Sequence, residues 1–186
     1  MIPSFIETYF IKDKSLCDDL IKYHTDNVLY KSDGRLGYDG KITLDHSLKE
    51  SVDVTFHNDT NHKTIRKFFN ILTEYASDYS NKYGVNNEVK TEYQNLISKF
   101  PPLGGFKMTH YERGDVHSSK RQLVYMLYLN DVTDGGGTEF THQKMLIKAE
   151  KGKLIIWPAD FTHTHRGVVS PTETKYITTG WFEISK

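Results

Sequence analysis

Lys175, Ile177, Thr179 and Trp181 alternate along an apolar stretch near the C-terminus, so on a β-strand all four share one face. An isoleucine and a tryptophan place that face in a core. An ammonium carried into a core is costly unless an anion meets it there. His165 precedes the lysine in Trp157-Pro-Ala-Asp-Phe-Thr-His-Thr-His165-Arg-Gly, and a histidine so placed points to a metal arriving with the anion. The competing assignment is a surface lysine on an edge strand, which is what most lysines are.

The rest of the chain says what could surround such a strand. At 186 residues it is long enough for one full core, and we read residues 1–186 as a single domain. Residues 1–102 are expected to form a helical support and residues 103–186 a β-core. Leu16, Leu20, Ile21 and His24 keep helical spacing, and Ile65, Phe68, Phe69, Leu72, Tyr75, Ala76, Tyr79 and Tyr83 keep it for over four turns before Gly84. Short strands are predicted at 42–44 and 52–56. Residues 85–94 read as a polar linker, and Pro101-Pro102-Leu-Gly-Gly105 punctuates the chain. Beyond it, strands rich in β-branched and aromatic residues are predicted at 106–111, 122–129, 145–149, 153–157 and 174–183, with turn signals between them. Helices followed by strands imply an α+β fold, with the helices packed on one side of a mainly antiparallel sheet or double-sheet barrel.

Composition removes several function classes. Lys+Arg and Asp+Glu both total 24, so nothing in the charge favours nucleic acid or an anionic membrane. A single cysteine, Cys17, allows no intrachain disulfide and fits a reducing compartment. The N-terminus lacks the basic and apolar regions of a signal peptide, and no apolar run reaches membrane-spanning length. A cytoplasmic protein is expected. The glycines at 135–137 are not followed by Gly-Lys-Ser/Thr, which argues against a phosphate loop.

Several words of the second half occur together and in order: Tyr111-Glu-Arg-Gly114, Arg121 leading into Leu127-Tyr-Leu-Asn130, Gly136-Gly-Thr-Glu-Phe140, Lys151-Gly-Lys-Leu-Ile-Ile-Trp-Pro158, His165, Lys175 and Trp181. In this the chain resembles the Fe(II)- and 2-oxoglutarate-dependent dioxygenases, specifically their prolyl 4-hydroxylase-like branch. The resemblance implies a double-stranded β-helix, or jelly roll, that holds iron and 2-oxoglutarate at its open mouth. It makes Lys175 the partner of the far carboxylate of 2-oxoglutarate, a charge-assisted contact. Tyr128 is then a second donor to that carboxylate, with Tyr111, Thr179 and Trp181 lining the same pocket. His165 becomes the distal iron ligand, with His163 as its competitor.

The resemblance also implies a His-x-Asp or His-x-Glu pair between the Tyr-x-x-Gly word and Arg121, because Fe(II) in these enzymes takes two imidazoles and a carboxylate on one face. The interval Asp115-Val-His-Ser-Ser-Lys120 is short, and Ser119 stands where the carboxylate belongs. Four readings stay open. Asp115 and His117 form a reversed pair; His117 binds alone and Ser119 leaves a position for water or halide; His110 replaces one ligand; or the site is broken. Asp115 also reads as an ordinary turn residue after Gly114.

The expected activity is therefore O₂-dependent hydroxylation of a prolyl or other residue of a protein or peptide, with Fe(II) and 2-oxoglutarate as cofactor and cosubstrate and ascorbate as a further candidate cofactor. The alternative is a jelly-roll binding module that has lost its iron-binding carboxylate. A cupin-like isomerase shares the architecture but not the order of the words.

Overall fold

A computed structural model describes residues 3–38 and 41–185. Its main sheet is antiparallel and runs in the order Glu7–Phe10, Lys153–Pro158, Arg121–Tyr128, Lys175–Ile184, Gln94–Phe100, Val52–His57, Lys31–Asp33, with Val89–Thr91 pairing the far end of Lys175–Ile184. The second sheet is small, with Thr138–Phe140 between Met145–Ile147 and His165–Gly167. Consecutive side chains on a strand point to opposite faces, so the main sheet sorts its apolar residues into two cores. Leu123, Tyr125, Leu127, Leu154, Ile156 and Phe182 face the helices, while Val124, Met126, Tyr128, Ile155, Trp157 and Ile177 face the small sheet with Phe140 and Ile147. This is the expected α+β jelly roll with helices on one side.

Helix α1 (Ser15–Asp26) and helix α2 (Lys63–Tyr83) lie where the apolar spacing puts them, and α2 ends at Gly84 in the left-handed conformation that glycine adopts without a Cβ penalty. The tyrosines of α2 do more than fill the core. Tyr75 and Tyr79 donate to the Phe10 and Phe5 carbonyls, and Tyr83 with Lys82 meets Glu7, so the helix holds the N-terminal strand at the sheet edge.

Several strands differ from the sequence reading. Glu7–Phe10 and Gln94–Phe100 both belong to the main sheet, the second next to Lys175–Ile184. Gln94–Phe100 was hidden by polar residues that carry partners inside the core: Asn95 accepts from the Tyr125 hydroxyl at 2.7 Å and donates to the Glu92 carbonyl. The strand predicted at 106–111 is cut to Gly105–Phe106, because the amides of Lys107 and Met108 both turn to the Leu48 carbonyl. The chain rejoins a strand only at His110, opposite His165.

Candidate functional site

That single bridge builds the centre of the site. His110 and His165 exchange both backbone hydrogen bonds, at 2.9 and 2.8 Å, so their side chains leave the same face of an antiparallel pair. Glu112 follows two residues after His110 and is held by its amide to the Ala159 carbonyl, which turns its carboxylate to that face too. Among the described residues, His110, Glu112 and His165 form the group of histidine and carboxylate side chains placed to share one ion, their ligand atoms within 4.8 Å of one another.

The hydrogen bonds around the group decide its chemistry. Nδ1 of His110 lies 2.8 Å from the Met108 carbonyl and Nδ1 of His165 lies 2.9 Å from the His163 carbonyl. A carbonyl only accepts, so in each ring Nδ1 carries a proton, and in the neutral ring Nε2 carries the lone pair. Both Nε2 atoms face Glu112 Oε1, at 3.3 and 3.4 Å. Those distances are long for charge-assisted hydrogen bonds, which run about 2.7–2.9 Å. They are close to the separation of roughly 3 Å between neighbouring ligand atoms that each lie about 2.1 Å from one ion. With both rings neutral, three electron pairs converge. Two imidazoles and one carboxylate on one face is the donor set of non-haem Fe(II) sites. Without an ion, burial works to raise the Glu112 carboxyl, and proton donation from the two imidazoles overcomes this and holds it well below the usual range.

Apolar rings complete the surroundings. Phe106 stacks on His110 at 3.9 Å between centroids, and Trp157 and Phe140 flank His165 at 5.1 and 5.5 Å. The second oxygen of Glu112 accepts the Trp181 indole N–H at 2.9 Å, which leaves Oε1 as the presented atom.

Lys175 marks the other part of the site. It is 5% exposed, its Nζ lies 4.9 Å over the Phe100 ring, and it donates to the Gly136 carbonyl at 3.0 Å. Among the described residues no carboxylate lies within salt-bridge distance of it, and burial pulls its ammonium down to about 8. The triple glycine belongs to this pocket. Gly136 has φ +71°, and a Cβ there would lie 2.4 Å from Val132, so the turn that offers its carbonyl to Lys175 admits no side chain. Tyr128 stands opposite Ile177, diagonal to Lys175 on the same face. It is fully buried, with its hydroxyl 2.7 Å from Thr138 Oγ1. The Thr179 hydroxyl is taken by the Tyr125 carbonyl.

Other residues read as site candidates lie elsewhere. Asp115 and His117 are exposed in the turn after Gly114, and neither joins His165. The Asp115 carboxylate instead accepts from the Ser118 amide and hydroxyl at 2.8 and 2.9 Å, hydrogen bonds that lower its pKa and make it a turn residue. Ser119 is exposed and bonds the Val116 carbonyl. Tyr111, between His110 and Glu112 on the alternating backbone, faces away from them and is 43% exposed. His163 is buried, but its Nε2 is taken by the Ser4 carbonyl and its Nδ1 by the Thr162 hydroxyl. The reading of a lost carboxylate failed for a simple reason. The resemblance places the pair after the Tyr-x-x-Gly word, whereas His110-Tyr111-Glu112 straddles its start. His-x-Glu was spelled out in the chain, and its period of two was the available signal.

Comparison with known proteins agrees with this geometry. Residues 96–183 match the 2OG-Fe(II) oxygenase superfamily. No curated protein matches the chain in sequence. In structure it is similar to the collagen prolyl hydroxylase of Paramecium Bursaria Chlorella virus-1, solved as a 2OG complex, at 19% identity and TM-score 0.73 over 98% of this chain and 97% of that one. It is also similar to a Trichoplax adhaerens prolyl hydroxylase, solved with a hypoxia inducible factor peptide fragment, at 13% identity and TM-score 0.77 over 97% and 84%. A Pseudomonas putida prolyl-4-hydroxylase aligns at 12% identity and TM-score 0.71 over 98% and 94%. The jelly roll is the fold of these prolyl hydroxylases, and the match to the 2OG-Fe(II) oxygenase superfamily lies on its core at residues 96–183.

Proposed function

We propose that this protein is an Fe(II)- and 2-oxoglutarate-dependent oxygenase that hydroxylates a prolyl or other residue of a protein or peptide. The observation that carries the proposal is the convergence of His110 Nε2, His165 Nε2 and Glu112 Oε1. A binding module without its carboxylate is not favoured, since Glu112 supplies one.

In this reading His110, Glu112 and His165 hold Fe(II), and Lys175 takes the far carboxylate of 2-oxoglutarate. Bound iron and 2-oxoglutarate supply the oxidising chemistry, consuming O₂ and releasing succinate and CO₂. The chain's own work is placement. The Met108 and His163 carbonyls hold a proton on each Nδ1 and so orient each Nε2, and the indole of Trp181 holds Glu112 to one presented oxygen. Lys175 fixes the cosubstrate's outer end, and Phe140, Trp157 and Phe106 keep water away. Tyr128 is a candidate second donor if its hydroxyl turns from Thr138. The protein or peptide substrate rests on the likeness to prolyl hydroxylases, one of them solved with a peptide. Ascorbate rests on the resemblance alone.

Anaerobic titration with Fe(II) and 2-oxoglutarate should give a weak visible charge-transfer band, and air should then yield succinate. Absence of both sinks the proposal. Screening prolyl peptides against free amino acids by mass spectrometry, for a gain of one oxygen, tests the substrate class.

A further inference from the structure

Glu112 is held by more than its histidines. Its Oε2 accepts from Trp181 Nε1 at 2.9 Å, and the Arg121 guanidinium lies flat over the Trp181 ring, 3.6 Å from its centroid. Arg121 is itself gripped by Glu92, Nε to Oε2 at 2.8 Å and Nη2 to Oε1 at 3.1 Å, while its Nη1 donates to the Glu112 carbonyl at 3.3 Å. The Glu92 amide closes the loop on the Trp181 carbonyl at 2.8 Å. The backbone is bent to allow this. Arg121 has the parity of Leu123 and Tyr125, which face the helices, but the register slips between Arg121 and Leu123 and lets it reach the Trp181 side. Such bulges re-aim side chains. A planar, bidentate and stacked guanidinium is a task that lysine cannot perform.

We propose that Glu92, Arg121 and Trp181 form a clamp that sets the metal ligand Glu112, committing Oε2 to the protein so that Oε1 alone is presented to the ion. Arg121 and Glu92 are then positioning residues. The inference rests on the proposed metal centre. It also makes glutamate, rather than the shorter aspartate, the residue that reaches Trp181 and the ion together.

The test uses Co(II) alone, without cosubstrate, followed by calorimetry and by quenching of Trp157 and Trp181, the chain's two tryptophans, both beside the site. Trp181→Phe keeps the ring but loses the N–H, and Trp157 remains as reporter. We expect Trp181→Phe and Arg121→Gln to weaken Co(II) binding by roughly 10-fold or more, the usual effect of losing an outer partner of a ligand. Arg121→Lys should not restore it, and Glu92→Gln, nearly isosteric, should weaken it by a smaller factor. The Co(II) ligand-field spectrum should change in Trp181→Phe, because Glu112 is freed to bind through both oxygens. Wild-type protein that takes up no Co(II) overturns the metal centre itself. Wild-type binding with unchanged affinity and spectrum in Trp181→Phe and Glu92→Gln overturns the clamp alone, as does a fall in Tm with no change in either.

Discussion

The two halves of the site are unbalanced in opposite senses. Around His110, Glu112 and His165 a carboxylate and two imidazoles converge, with the Arg121 guanidinium reaching only the far Glu112 oxygen at 3.9 Å, whereas at Lys175 an ammonium is buried against a carbonyl and an aromatic ring with no carboxylate beside it among the described residues. The first half is preorganised by backbone carbonyls and an indole, so its cost was met in folding. The second leaves its charge uncompensated, so folding pays a penalty that a ligand can refund. A cation at one end and a dicarboxylate at the other would balance both, which is why the two halves should respond differently to the same perturbation.

The largest effect is expected at the metal half. His165→Ala should weaken Co(II) or Fe(II) binding by more than about 100-fold, beyond the loss for an outer partner. Calorimetry showing near wild-type affinity would remove His165 from the ligand set. Lys175→Met should separate the halves. Metal affinity should hold, while 2-oxoglutarate affinity falls by roughly 10–100-fold, the worth of a charge-assisted hydrogen bond. Equal loss of metal and cosubstrate contradicts this division. The same variant should raise the Tm of the ligand-free protein by roughly 6–12 °C, because moving an ammonium from 10.5 to about 8 corresponds to roughly 3 kcal/mol.

A pH series sharpens the comparison. Between about 8 and 10.5 the unfolded chain keeps a proton on Lys175 that the folded protein has released, so ligand-free stability rises with pH across that window. Below about 8 both states are protonated and the penalty is fully present. The stability difference between wild type and Lys175→Met, read by urea denaturation, should therefore shrink above pH 8. Binding of 2-oxoglutarate requires the ammonium, so its affinity should fall as pH rises through about 8; a flat profile would count against Lys175 as the anion's partner. The smallest effect is expected at the turn. Asp115→Asn and His117→Ala should leave Co(II) affinity unchanged, and a clear loss in either would return the residue to the candidate ligands.

Much of the architecture was legible because it is local. The apolar stripe of α2, its stop at Gly84, and the alternation at Lys175, Ile177, Thr179 and Trp181 follow from periods of 3.6 and 2. Gln94–Phe100 escaped notice because Asn95 and Ser98 look like loop residues until their positions in the sheet are known, with Tyr125 satisfying Asn95. Asp115 and His117 were plausible ligands for as long as spacing was the only criterion. Their exposure, and the claim of Ser118 on Asp115, emerge only in three dimensions.

By itself the sequence determined the family words, the two helices, the inward face carrying Lys175, and the presence of His165. Each of these depends on neighbours a few positions away. Tertiary structure decided that His110 lies opposite His165, that Glu112 rather than Asp115 turns toward them, and that Arg121 reaches Trp181 across a slipped register. The physical reason is that a donor set is defined by which strand segments pair, and pairing is settled by the burial of whole faces. His-x-Glu could be read in the chain, but only the fold supplied the second histidine to stand opposite it.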